Sequence, residues 1–232
     1  MKKILIFQHI KREHPSLIAE YATERGITLD VVPLFETKVI PDVSSYDALI
    51  VLGGPMGVYE EYSGKAEELA VIQANIGTVP MLGICLGTQL LAHALGASVY
   101  PWQKDGKQCK EIGYYDITLT SEGVAGGLFS GFPSKFTALQ WHGDTFDLPA
   151  GATLLATDSE CPHQAFSWKN AFGVQFHVEA TPEIVLDWVH EDREWANSGF
   201  VLDEKKIADD AERLAPVMRE QCFRMLDNFL SV

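Results

Sequence analysis

Over the first hundred residues, short apolar runs alternate with segments whose apolar positions recur every three or four residues. That alternation is the mark of βαβ units feeding a parallel sheet. Residues 4–7 predict a buried first strand and residues 29–34 a second. Between them Pro15 suits a first helical turn, Leu17, Ile18, Tyr21 and Ala22 form an inward stripe, and Gly26 suits the helix end. Residues 47–52 read as a fully buried third strand and 79–84 as a fourth. A helix over 65–76, with Leu69, Ile72 and Ile76 inward, separates them. Residues 86–95 return to helix, closed by Gly96.

From residue 98 to 176 the period shortens to two, with strands expected over 112–119, 135–141, 153–156, 164–168 and 172–178. This predicts antiparallel strands that partly extend the main sheet, with a hairpin turn at Lys169, Asn170 and Ala171. After Pro182 the pattern is helical to the end. Leu214, Val217, Met218, Met225, Leu226 and Phe229 share a stripe there, and Pro216 is expected to start the final helix. No linker, repeat or low-complexity tract interrupts the chain, so residues 1–232 are expected to form one domain, with 183–232 as a helical C-terminal extension.

Composition narrows the function classes. With 232 residues and 47% hydrophobic content the chain can bury about 70% or more of its unfolded surface, which excludes intrinsic disorder. A formal net charge of −14 repels phosphate backbones, so no nucleic-acid partner is expected. The apolar run after Lys3 ends at Gln8, too short for an export signal, and no run approaches the roughly 18 residues of a membrane span. A soluble protein without membrane contact follows. Cys85, Cys109, Cys161 and Cys222 include no C-x-x-C pair and no His at finger-like spacing, so neither a disulfide framework nor a zinc site is expected, and a cytoplasmic setting fits. The last helical stripe reads as core, with a homo-oligomer interface as the alternative.

The chemistry concentrates in three segments. Residues 81–90 run from a buried strand through Gly83-Ile84-Cys85-Leu86-Gly87 into a helix, the cysteine form of a nucleophile elbow. Such a turn presents the thiol at the carboxyl edge of the sheet, where the helix N-terminus favours the thiolate. In Gln175-Phe176-His177-Val178-Glu179, strand alternation puts His177 and Glu179 side by side, as a base and its orienting carboxylate. Gly53-Gly54-Pro55-Met56 follows the third strand at the same edge, where the N–H groups of Gly54 and Leu86 could bind an oxyanion. His142 with Asp144 could be read as a metal pair but lacks an evident third ligand. His9, His14, His93, His163 and His190 show no ligand spacing and read as surface or packing residues.

Together these segments resemble the class I glutamine amidotransferases, most of all stand-alone proteins similar to the glutaminase part of GMP synthase. Glu111-Ile112-Gly113, Trp141-His142-Gly143-Asp144-Thr145 and Cys161-Pro162-His163-Gln164-Ala165-Phe166 add to the match. The resemblance reaches to about Glu183. It implies an α/β fold of flavodoxin-like, doubly wound type, with a mostly parallel sheet, added antiparallel strands and a helical C-terminal segment. It also implies a triad of Cys85, His177 and Glu179, an oxyanion hole from Gly54 and Leu86, and substrate contacts from Met56, Gln89, Trp141, Gly143 and Asp144. The implied reaction is hydrolysis of a γ-glutamyl amide, free glutamine or a related compound, through a cysteine thioester, with no metal or other cofactor. Val178 stands where the family usually has proline, and Thr88 where the most similar relatives often have histidine at the pocket rim. No Walker-type loop is present, so the ammonia acceptor would be a separate synthetase subunit. A γ-glutamyl peptidase, a non-catalytic regulatory subunit retaining the fold, and related elbow-cysteine proteins acting on aldehydes or peptides remain as alternatives.

Overall fold

A computed structural model describes residues 2–199 and 201–231. Met1, Phe200 and Val232 lie outside the described residues, the last two of them within the extension expected over 183–232. Strands run as β1 (Lys3–Gln8), β2 (Thr28–Pro33), β3 (Ala48–Val51), β4 (Met81–Ile84), β5 (Val99–Pro101), β6 (Gln103–Lys104), β7 (Lys107–Gln108), β8 (Glu111–Leu119), β9 (Lys135–His142), β10 (Asp144–Phe146), β11 (Thr153–Thr157), β12 (Ala165–Trp168) and β13 (Ala171–Val174). The helices are α1 (Ser16–Arg25), α2 (Lys65–Asn75), α3 (Leu86–Ala94), α4 (Ser121–Val124), α5 (Pro182–Glu191), α6 (Arg193–Asn197) and α7 (Glu204–Phe229).

Nine strands form one sheet in the order β2-β1-β3-β4-β13-β12-β11-β8-β9. The first five are mutually parallel, and the remaining four pair antiparallel. The α/β class and the mostly parallel half therefore follow the hydrophobic pattern. One element differs: β13 was expected among the antiparallel strands but lies parallel to β4 as the fifth parallel strand. Period-two alternation carries no information about the direction of a neighbour.

Helices cover both faces. Ile4, Ile6, Ile50 and Ile84 turn toward α1 and the C-terminal half of α7, where Ile18, Tyr21, Leu226 and Phe229 meet them. Leu5, Phe7, Leu49 and Val51 turn the other way, toward Ile72 of α2 and Leu86, Leu90 and Leu91 of α3. Leu69 and Ile76 are only half-buried on that side, and Glu68 is fully buried instead.

A third cluster joins α5 and the start of α7 to β8 and β9, through Ile184, Trp188, Ile207, Ile112 and Trp141. Pro216, expected to begin the last helix, sits inside the 26 residues of α7. The helix spans two cores, and burial on both sides of Pro216 outweighs the one backbone hydrogen bond that proline cannot donate. Of the expected stripe, Met218, Met225, Leu226 and Phe229 are buried, whereas Leu214 is half-buried and Val217 exposed.

The strand expected over 172–178 stops at Val174, because β4 ends at Ile84 and β13 loses its parallel partner there. Cys85 N–H still bonds to Val174 O at 2.9 Å, and three residues on the chain is captured from the other side, His177 N–H donating to Leu139 O at 2.8 Å. Alternation survives the handover. Val174, Phe176 and Val178 enter the α1–α7 core, and Gln175, His177 and Glu179 face the opposite way, toward the elbow.

Candidate active site

Cys85 occupies the turn between β4 and α3 with φ 52° and ψ −110°, a conformation that side chains rarely adopt. It holds because the flanking positions carry no Cβ. A Cβ on Gly87 would overlap the carbonyl oxygen of Val51, and one on Gly83 would lie 2.5 Å from the Gly87 carbonyl group. These close approaches are the physical content of the G-x-C-x-G spacing. They leave the sulfur above the N-terminus of α3, whose first N–H groups, beginning with Leu86, have no partner within the helix.

His177 and Glu179 come to the same place from the end of β13. The imidazole Nδ1–H donates to Glu179 Oε1 at 2.6 Å, which leaves Nε2 as the nitrogen available to exchange a proton. Val178 N–H donates to Glu179 Oε2 at 3.0 Å, a bond that proline at this position could not make. The Val178 side chain is buried in the core on the far side, so the departure from the family pattern adds a support to the carboxylate. Burial opposes a charged imidazole here, but Glu179 and then Cys85 outweigh it and raise the His177 pKa well above its ordinary value. A Cβ placed on Gly53 would meet His177 Cε1 at 3.2 Å and Cys85 Cβ at 3.6 Å, so thiol, imidazole and glycine loop converge.

A cavity of about 340 Å³ opens over these groups, lined by Gly54, Met56, Cys85, Gln89, Trp141, Gly143, Asp144 and His177 among others. Every substrate contact implied by the resemblance thus borders one small-molecule-sized pocket. Gln89 Nε2 donates to Gln175 Oε1 at 3.1 Å, and Gln175 Nε2 to Cys85 Sγ at 3.6 Å. Thr88 behaves differently from expectation. It is fully buried, and its hydroxyl binds the carbonyls of Gly83 and Val174, so it braces the elbow from beneath and does not form the pocket rim.

Several pocket residues carried no readable signal in the sequence. Trp188 packs edge-on to His177 with ring centroids 4.8 Å apart, and Asp192 accepts a hydrogen bond from Trp141 Nε1 at 3.1 Å while pairing with Arg12. With Trp195 they form a wall built by α5 and α6. Glu13, half-buried in the loop after β1, also lines the cavity; burial pushes its carboxyl up to about 7 against the attraction of His177, His9 and Arg12.

His9, read as a surface or packing residue, is fully buried and ion-paired. Its Nδ1 lies 2.9 Å from Gly53 O and its Nε2 2.9 Å from Glu68 Oε1. Burial opposes its charge, and Glu68 reverses that so that its pKa is raised. Its sequence context, an apolar strand end followed by polar residues, is that of any strand exit.

The metal reading of His142 with Asp144 is replaced by another grouping. His142 Nδ1 meets the backbone oxygen of Asp144 at 2.9 Å, and its Nε2 pairs with Glu111 at 3.0 Å. Glu111, His142 and Cys161 are the described residues whose donor atoms cluster closely enough to hold an ion. Their bonds are already taken up: Gln164 Nε2 donates to Glu111 at 2.9 Å, and Thr145 Oγ1 lies 3.3 Å from Cys161 Sγ. Burial pushes the Cys161 thiol up to about 12. The cluster instead braces β8 and β9 beneath the Trp141 to Asp144 segment.

With this geometry established, comparison with known proteins decides the family. The glutamine amidotransferase class-I family model matches residues 14–185. The chain belongs to that family. It is 32% identical over 228 residues to the glutamine amidotransferase-like protein YfeJ of Salmonella typhimurium, covering 94% of this chain and 93% of that one. It is also 32% identical over 187 residues to the glutamine-hydrolyzing GMP synthase of Streptococcus thermophilus, covering 77% of this chain but spanning only 33% of that protein's length. Among solved structures, a glutamine amidotransferase from Thermotoga maritima superposes with a TM-score of 0.89 at 31% identity, over 100% of this chain and 99% of that one. Trp188, Asp192 and Trp195 lie beyond the residues that the family model matches. Among the described residues, no helix is long and apolar enough to cross a membrane.

Proposed function

We propose that this chain hydrolyses a γ-glutamyl amide through a thioester on Cys85. The observation that carries the reading is the convergence of Cys85, the hydrogen-bonded His177–Glu179 pair and the Gly53-Gly54 loop on one pocket. His177 Nε2 takes the thiol proton and the sulfur attacks the amide carbon. The carbonyl oxygen gains the negative charge, which the N–H groups of Gly54 and Leu86 bind. The C–N bond breaks as His177 returns the proton to the leaving nitrogen. Water then gives a proton to His177 and adds to the thioester carbon, the C–S bond breaks, and the γ-carboxylic acid leaves with the thiol restored. Met56, Gln89, Trp141, Gly143 and Asp144 hold the glutamyl part.

With glutamine as substrate the leaving group is ammonia, and the GMP synthase relatives support its transfer to a separate synthetase subunit. A second reading, γ-glutamyl peptidase, is favoured by the wall of Trp188, Asp192 and Trp195 beside His177, which gives a larger leaving amine surface to rest on. Residues 1–232 would act as one amidotransferase domain, with 183–232 supplying that wall. The free thiols support a reducing, cytoplasmic setting.

Parallel assays of ammonia release from glutamine and of amino-acid release from γ-glutamyl dipeptides separate the two substrates, and a glutamine-mimicking electrophile should modify Cys85 by mass spectrometry. Cys85→Ala should abolish turnover and labelling while circular dichroism stays unchanged. Absence of both turnover and labelling in the wild type would favour the non-catalytic regulatory reading.

A further inference from the structure

We infer that His9, anchored by Glu68, is a positioning residue of this reaction, holding the Gly53-Gly54 peptide with its N–H toward the pocket so that the oxyanion site is already formed in the isolated chain. The inference rests on the thioester reading above and adds to it what sets the oxyanion donor. Three observations carry it.

Both ring nitrogens of His9 face acceptors, Gly53 O at 2.9 Å on one side and the Glu68 carboxylate at 2.9 and 3.1 Å on the other. The side chains of His9 and Glu68 are both fully buried. A ring that donates from both nitrogens is an imidazolium, and the buried carboxylate is its counter-ion. Tyr62 completes the enclosure, its hydroxyl donating to Glu68 Oε2 at 3.3 Å and its ring standing edge-on to His9; Glu13 is the further carboxylate near the pair. His9 is thus fixed in orientation within an ion pair whose two side chains water does not reach.

The peptide bond transmits that orientation. No cis peptide occurs among the described residues, and in a trans peptide the carbonyl and the following N–H point in opposite directions. With Gly53 O held against His9, the N–H of Gly54 is turned away from it. Gly54 lines the cavity with Cys85, and its N–H donates to no acceptor among the described residues. Glycines rotate readily, so this peptide would otherwise be free to turn its oxygen toward the thiol. A charge-assisted bond to Gly53 O makes that flip costly. Side-chain bulk at position 54 is also excluded, since a Cβ there would lie 2.8 Å from Leu86 Cδ2 and 3.1 Å from His9 Cβ.

The test uses the full chain and a chromogenic γ-glutamyl anilide. The double variant His9→Phe with Glu68→Met removes the lock without leaving a buried charge unpaired. His9→Asn retains a donor close to the Nδ1 position. Losing one oxyanion donor costs about 10²- to 10³-fold, so the double variant should lose about 10²-fold in kcat with KM nearly unchanged, and His9→Asn should recover much of it.

Alkylation of Cys85 by iodoacetamide provides the control, because displacement at a methylene forms no oxyanion. Its rate should match wild type in both variants. Wild-type kcat in the double variant would overturn the inference, and so would equal losses of turnover and alkylation, which mark a merely structural role. Wild-type protein that is labelled at Cys85 by a glutamine-mimicking electrophile yet turns over no γ-glutamyl amide alone would overturn it as well. Wild-type protein that is neither labelled nor active would instead overturn the thioester reading itself.

Discussion

Glu13 offers a test of the site's electrostatics that requires no knowledge of the substrate. Burial raises its carboxyl from an ordinary 4.5 to about 7, against the pull of His177, His9 and Arg12. The folded protein therefore holds this proton more tightly than the unfolded chain. The resulting stabilisation is fully present below pH 4.5 and is lost as the pH rises through 7. The gap between 4.5 and about 7, at about 1.4 kcal/mol per pH unit, sets a ceiling of about 3.5 kcal/mol. Glu13 borders an open cavity, where water screens part of the penalty, so about 1–2 kcal/mol is expected.

Glu13→Gln replaces the carboxyl by a neutral group of the same shape. Its stability should be close to wild type below pH 4.5 and exceed it by that 1–2 kcal/mol at pH 8.5. Urea unfolding at pH 4 and pH 8.5, with unchanged slope, measures the difference directly. An advantage of equal size at both pH values, or a variant less stable than wild type at pH 8.5, would refute the assignment of a penalised charge at this position.

Three further outcomes follow from the geometry. Gly87→Ala should cost about 3 kcal/mol or more in thermal unfolding, because its methyl overlaps the Val51 carbonyl and neither backbone can withdraw; a variant as stable as wild type would contradict the close packing of the elbow. Glu179→Gln should fold normally and lose about 10²- to 10⁴-fold in turnover, since the amide neither balances an imidazolium nor fixes its tautomer; a wild-type rate would remove Glu179 from the mechanism. In native protein, iodoacetamide should modify Cys85 and spare Cys161 and Cys222, whose buried thiols are pushed up, to about 12 for Cys161, until denaturant is added; early modification of Cys161 would show that the β8–β9 cluster is not closed.

How much of this molecule was legible beforehand depended on whether the signal was local. The parallel strands, the elbow, the inward stripe of α1 and the side-by-side placement of His177 and Glu179 all follow from spacing within a few residues, because backbone geometry converts a period of two or 3.6 into a face. Even the truncation of β13 left that alternation intact, since His177 exchanged one backbone neighbour for another without rotating its side chain to the core.

What the chain order could not reveal is what crosses it. The direction of β13, the persistence of α7 through Pro216, the wall of Trp188, Asp192 and Trp195, and the buried pairing of His9 with a glutamate fifty-nine residues away each depend on which distant surfaces meet. A histidine at a strand exit is locally indistinguishable from a solvated one. Glu68 of α2, Tyr62 and the Gly53-Gly54 loop close over it and remove water, and with the water gone its charge must be answered by Glu68 and its second proton by Gly53.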